Sequence, residues 1–105
     1  MKSKKEKDKE KFLGLLNAWM TNLAEKSVKR AKLERFFIRP GHSDDDYKSV
    51  VIEFSMKSIR MLADIHDMIF TISGYDYFKY DFKEIPDDNT LIRKIVKNIR
   101  VYKEQ

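Results

Sequence analysis

Cysteine is absent from this 105-residue chain, which excludes a disulfide scaffold and any thiolate metal site. Glycine occurs three times, at Gly14, Gly41 and Gly74. Glycines so far apart cannot build the Gly-rich loops that cradle nucleotide phosphates. No G-x-S-x-G stands in the sequence, so the nucleophile elbow of many hydrolases is missing as well. Two histidines, His42 and His66, make no zinc site without cysteines beside them. No apolar run approaches the roughly 18 residues of a membrane span, and no signal-peptide pattern opens the chain. These absences lead to the expectation of a soluble protein of the cytoplasm or another reducing compartment, without membrane partner, cofactor or metal.

Charge is what the chain has in excess: 37% of residues are charged and the formal net charge is +5. Residues 1–11 hold six lysines against Glu6, Asp8 and Glu10. With no apolar side chain beyond Met1, this stretch reads as a disordered basic leader, followed by a single small domain over 12–105. The rest of the charge is segregated. Lys26, Lys29, Arg30, Lys32, Arg35 and Arg39 oppose only Glu34, and a second basic block comprises Arg93, Lys94, Lys97, Arg100 and Lys103. Between them lies an acidic middle that includes Asp44, Asp45, Asp46, Glu53, Asp64 and Asp67.

Hydrophobic periodicity divides the chain into elements. Leu13, Leu16, Met20, Leu23 and Ala24 recur at spacings of three and four and predict a long amphipathic helix over residues 10–34. Its calculated length, about 37 Å, exceeds the width of so small a domain, so it should protrude or meet a second subunit. Phe36–Ile38 and the β-branched run around Val50–Ile52 predict a short antiparallel hairpin with 40–46 as its loop. Ser55 would cap a helix over 56–73 with Ile59, Leu62, Ile65, Ile69 and Ile72 on one face. An alternative is one continuous helix from Tyr47 to Ile72, whose heptad of Tyr47, Val51, Phe54, Ser58, Met61, Ile65, Met68 and Ile72 would give an all-α bundle. Residues 75–83 alternate as a half-buried aromatic strand, and the turn at Pro86–Asn89 starts a final helix with Leu91, Ile92, Ile95, Val96 and Ile99 on one face. The fold expected is therefore α+β: long helix, hairpin, helix, aromatic strand, helix.

The functional expectation follows the charge. A non-enzymatic, dimeric nucleic-acid-binding or regulatory module would use Lys26, Lys29, Arg30, Arg93, Lys97 and Arg100 for DNA or RNA phosphates. Tyr75 and Tyr77, on the wet side of the aromatic strand, would stack on bases. Trp19, Met20 and Leu23 on the long helix would form the homodimer interface. The competing class is a protein–protein assembly module without nucleic acid, in which the basic residues are solvated helix faces. A third reading, a metal-dependent nuclease, would use Asp44–Asp46, Glu53 and Lys57; Ser55 occupies the position where an acid-x-Lys pair needs its lysine. Arg60 and His66 would point about 120° apart on a straight helix and would converge only with a partner's help.

Overall fold

The computed structural model describes residues 3–33, 35–40, 49–54 and 59–104. The chain is α+β. A long helix, α1 (Lys4–Ala31), leads into five strands, β1 (Phe36–Pro40), β2 (Ser49–Phe54), β3 (Arg60–Asp64), β4 (Ile69–Ser73) and β5 (Tyr77–Asp81). A 3-10 turn over Phe82–Glu84 then precedes the closing helix α2 (Asp88–Lys103). The strands form one antiparallel meander in sequence order. Neighbouring strands thus follow each other in the chain, joined by short connections.

Alternation within the strands gives the sheet two unlike faces. On the inner face Val50, Ile52 and Phe54 of β2, Met61 and Ala63 of β3, and Phe70 and Ile72 of β4 are buried. The register sets Ile52 opposite Met61, and Met61 opposite Ile72. Leu16, Met20, Leu23 and Ala24 of α1 and Leu91, Ile92, Ile95 and Ile99 of α2 complete the same core. Both helices therefore lie in one layer on one face of the sheet. Each fully buried aliphatic or aromatic side chain contributes roughly 1.5–3 kcal/mol, and these contributions together hold the two layers.

Two segments depart from the sequence reading. Residues 4–11, expected as a disordered leader, form the first turns of α1. Lysine and glutamate are good helix formers, and the spacings Lys4–Asp8, Lys7–Glu10 and Asp8–Lys11 place opposite charges one turn apart. This end projects beyond the sheet, and the molecule is 50 Å in its longest dimension. Residues 59–73, expected as a helix or as part of an all-α heptad, are instead β3, a turn and β4. The strand pairing buries Ile59, Met61, Ala63, Phe70 and Ile72 together, whereas a helix would split them, with Ile59, Ala63 and Phe70 on one face and Met61 and Ile72 on the opposite one. The turn itself is written into Asp64, whose Oδ1 accepts the backbone N–H groups of His66 at 2.9 Å and Asp67 at 3.2 Å. Met68 completes it in the left-handed region, at φ 57°.

Three other expected elements are present among the described residues: the hairpin, the aromatic strand and the closing helix. β1 pairs with β2 as the predicted hairpin. The aromatic strand keeps its parity, with Phe78 and Tyr80 half-buried on the helix side and Tyr77, Lys79 and Asp81 exposed on the other. Burial raises the Tyr80 phenol above its ordinary pKa. Asp87 is the N-cap of α2, accepting from Thr90 N. The hairpin loop at 41–46, the Ser55 cap and Lys57 lie outside the described residues. No helix of the described residues is long and apolar enough to cross a membrane.

Candidate nucleic-acid interface

The two helices run parallel, pinned at both ends. At one end the Trp19 indole N–H donates to Asp88 Oδ1 at 2.8 Å, joining the middle of α1 to the first turn of α2. At the other, Lys103 Nζ donates to the carbonyl oxygens of Ala31 at 2.8 Å and Lys32 at 3.0 Å. The helices therefore finish side by side, and their last turns carry Lys29, Arg30, Arg100 and Lys103. Cations are favourable there because the last carbonyls of each helix carry partial negative charge.

This arrangement brings the two basic blocks together. Arg30 from α1 and Arg93, Lys97 and Arg100 from α2 line one surface cavity of ≈ 490 Å³, with Val96 and Val101 between them and Glu104 at its edge. Positions 93, 97 and 100 follow helical spacing, so they form a stripe about 10 Å long on α2. Lys26 and Lys29 are exposed on α1, outside the cavity lining; Lys26 stands one turn before Arg30.

Arg93 is held in place. The Thr90 hydroxyl donates to Asp87 Oδ1 at 2.6 Å, and Arg93 Nη2 donates to Thr90 Oγ1 at 3.3 Å. The Thr90 hydroxyl bond, with the nearby Arg93 charge, holds the Asp87 carboxyl below its ordinary pKa. The N-cap of α2 thus also orients the first cation of the stripe. The sequence carried that signal as the spacing Asp87, Thr90, Arg93.

The other expected residues fall elsewhere. Tyr75, in the turn between β4 and β5, and Tyr77 are exposed. Tyr77 projects from the sheet face opposite the helices, so it does not share a surface with the basic cavity. Met20 and Leu23 have no exposure, which corrects the expected dimer interface: that stripe of α1 is buried in the core shared with α2 and the sheet. Trp19 is half-buried, its ring centroid 5.0 Å from that of Phe70. Arg60 and His66 stand at opposite ends of β3 and do not converge. Of the nuclease residues, Glu53 alone lies within the described residues, on β2. Among the described residues no three His, Cys, Asp or Glu side chains are grouped to hold a metal ion.

No family model, curated protein or solved structure matches the chain. The functional reading therefore stands on the geometry alone.

Proposed function

We propose that the protein is a non-enzymatic binding module whose α1–α2 cavity takes the phosphate backbone of a nucleic acid. The observation that carries this reading is the convergence of Arg30 with Arg93, Lys97 and Arg100 on one cavity, although 63 residues of sequence separate the first two. Arginine donors in a planar fork suit phosphate oxygens, and a cluster of fixed cations gains from counterion release along a polyanion. Val101, half-buried between the cations, gives sugar or backbone carbon atoms an apolar contact. Lys26 and Lys29 would extend the positive surface along α1.

The test is fluorescence anisotropy with labelled single- and double-stranded DNA and RNA at several salt concentrations. Affinity should fall steeply as salt rises, with a slope that reports the number of phosphates neutralised. Replacing Lys97 and Arg100 together by glutamate should weaken binding at least about ten-fold and flatten the slope by about two phosphate contacts. The protein–protein assembly class has support of its own, since the same apolar strip between cations would suit an acidic helix. Absence of nucleic-acid binding at low salt would decide for that class.

A further inference from the structure

The solvent face of the two helices carries its cations in two rows. On α1, Lys26 and Arg30 stand one turn apart; on α2, Arg93, Lys97 and Arg100 follow at intervals of four and three. The helices run parallel and pack directly on each other. Over residues 25–30 and 93–104 every exposed side chain is charged, and Glu25 and Glu104 are the only acids among them. Lys94 and Lys103 belong to other contacts: Lys94 Nζ lies 4.2 Å from the centre of the Phe78 ring, and Lys103 holds the carbonyls at the end of α1.

Resting on the nucleic-acid reading above, we propose that this site takes a double-stranded nucleic acid by the phosphates of both strands, without reading its bases. Packed helices lie roughly 8–10 Å apart, axis to axis. Two cation rows at that separation suit the two phosphate rows that edge a duplex groove, whose width in B-DNA is about 6 Å for the minor and about 12 Å for the major groove. Long lysine and arginine stems take up the difference. A single strand offers one row of phosphates and meets the cations of one helix at a time. A duplex engages both rows at once and releases counterions from both strands.

The lining of the cavity points the same way. It consists of Arg30, Arg93, Lys97, Arg100, Glu104 and two valines, with no aromatic ring and no side-chain amide. Unpaired bases are held by stacking on aromatic rings, and adenine is read by asparagine or glutamine. Tyr77 stands on the far side of the sheet, where it reaches nothing bound at the helices. Base edges are also out of range. Two helices side by side span about 20 Å, too broad to enter a major groove about 12 Å wide, and the deep major groove of an RNA duplex is closed to side chains. Arg93, tied to Thr90 at 3.3 Å, is held against its own helix and presents its charge to the backbone.

Fluorescence anisotropy of the full chain at about 50 mM salt tests the proposal, with AT-rich and GC-rich DNA duplexes of about 20 base pairs, an RNA duplex of the same length, and the separate strands of each. A DNA or RNA duplex should bind at least about five-fold more tightly than its own strands, and the favoured duplex names the polymer. The AT-rich and GC-rich duplexes should differ by less than about three-fold. Lys26→Glu and Lys97→Glu, one on each row and both at exposed positions, should each weaken duplex binding about three-fold or more and flatten its salt slope by about one phosphate contact; circular dichroism checks that both variants are folded. Single strands bound within that five-fold margin of both kinds of duplex overturn the proposal and leave the nucleic-acid reading standing. So does a larger preference between the AT-rich and GC-rich duplexes, or a Lys26→Glu variant that binds duplex as the wild type does. Absence of binding to every probe overturns the nucleic-acid reading itself, and this proposal with it.

Discussion

The ammonium of Lys103 closes the C-terminal end of α1, lying 2.8 Å from the carbonyl oxygen of Ala31. One side chain from the last turn of α2 therefore satisfies the orphan carbonyls of the other helix and fixes the two ends side by side. Lys103→Met keeps the aliphatic stem and removes the donors. It should lower stability by about 1 kcal/mol, read as a lower urea midpoint with unchanged slope. The same change should weaken nucleic-acid binding at the cavity, because Arg30 is positioned by the end of α1 that Lys103 secures.

The residue that follows that helix offers a gain. Lys32 has φ 55°, and the bonds from Leu33 N to Val28 O at 2.9 Å and from Lys32 N to Lys29 O at 3.4 Å end the helix in a Schellman turn. This left-handed position favours glycine, since a Cβ there costs about 1 kcal/mol. Lys32→Gly should raise stability by about that amount, measured by urea denaturation, while the Lys103 contact is kept because it uses a main-chain oxygen.

Much of this architecture could be read from residue spacing, and the failures have identifiable causes. The aromatic strand and α2 were legible because period-two alternation and an Asp87 cap admit one reading each. The β3–β4 hairpin was not, because Ile59, Leu62, Ile65, Ile69 and Ile72 also satisfy helical spacing. The deciding information was Asp64, whose side chain makes the turn, together with pairing to β2, which is long-range. The burial of Met20 and Leu23 is hidden from the sequence for a related reason: it comes from long-range packing of α1 on α2 and the sheet, which spacing along one helix does not reveal. Both basic blocks were visible as composition. Their meeting in one cavity depends on parallel helices, and the residues that enforce this, Trp19 with Asp88 and Lys103 with Ala31, are about seventy positions apart.

Acid should act on the cap of α2. The hydrogen bond from Thr90 and the charge of Arg93 depress the Asp87 pKa below its ordinary 3.8. A carboxylate with a lowered folded pKa contributes stability that is complete above the unfolded value and is lost as pH falls through the folded one. Stability should therefore be flat in this group's contribution above about pH 5 and decline below 3.8. Denaturation measured between pH 2 and pH 6 should show a shallower decline for Asp87→Asn, which keeps a capping oxygen and cannot ionise.

The contact between Gly74 and Asn98 should behave as a single unit. Asn98 is buried on α2; its Oδ1 accepts the backbone N–H of Asp76 at 2.8 Å, and its Nδ2 donates to Lys94 O at 3.2 Å. Gly74, in the turn before β5, leaves room for this: a Cβ there would stand 2.9 Å from Asn98 Oδ1. Gly74→Ala should therefore destabilise by about 1–3 kcal/mol through overpacking. Asn98→Ala should cost about as much, because the Asp76 N–H and Lys94 C=O lose a partner. The two costs should not add. With Asn98 shortened, the alanine at position 74 has less to collide with, so the double variant should be more stable than the sum of the single changes by about 1 kcal/mol. Urea denaturation of the four proteins in the cycle measures this coupling, and strict additivity would mean that the turn reaches α2 without the close approach seen here.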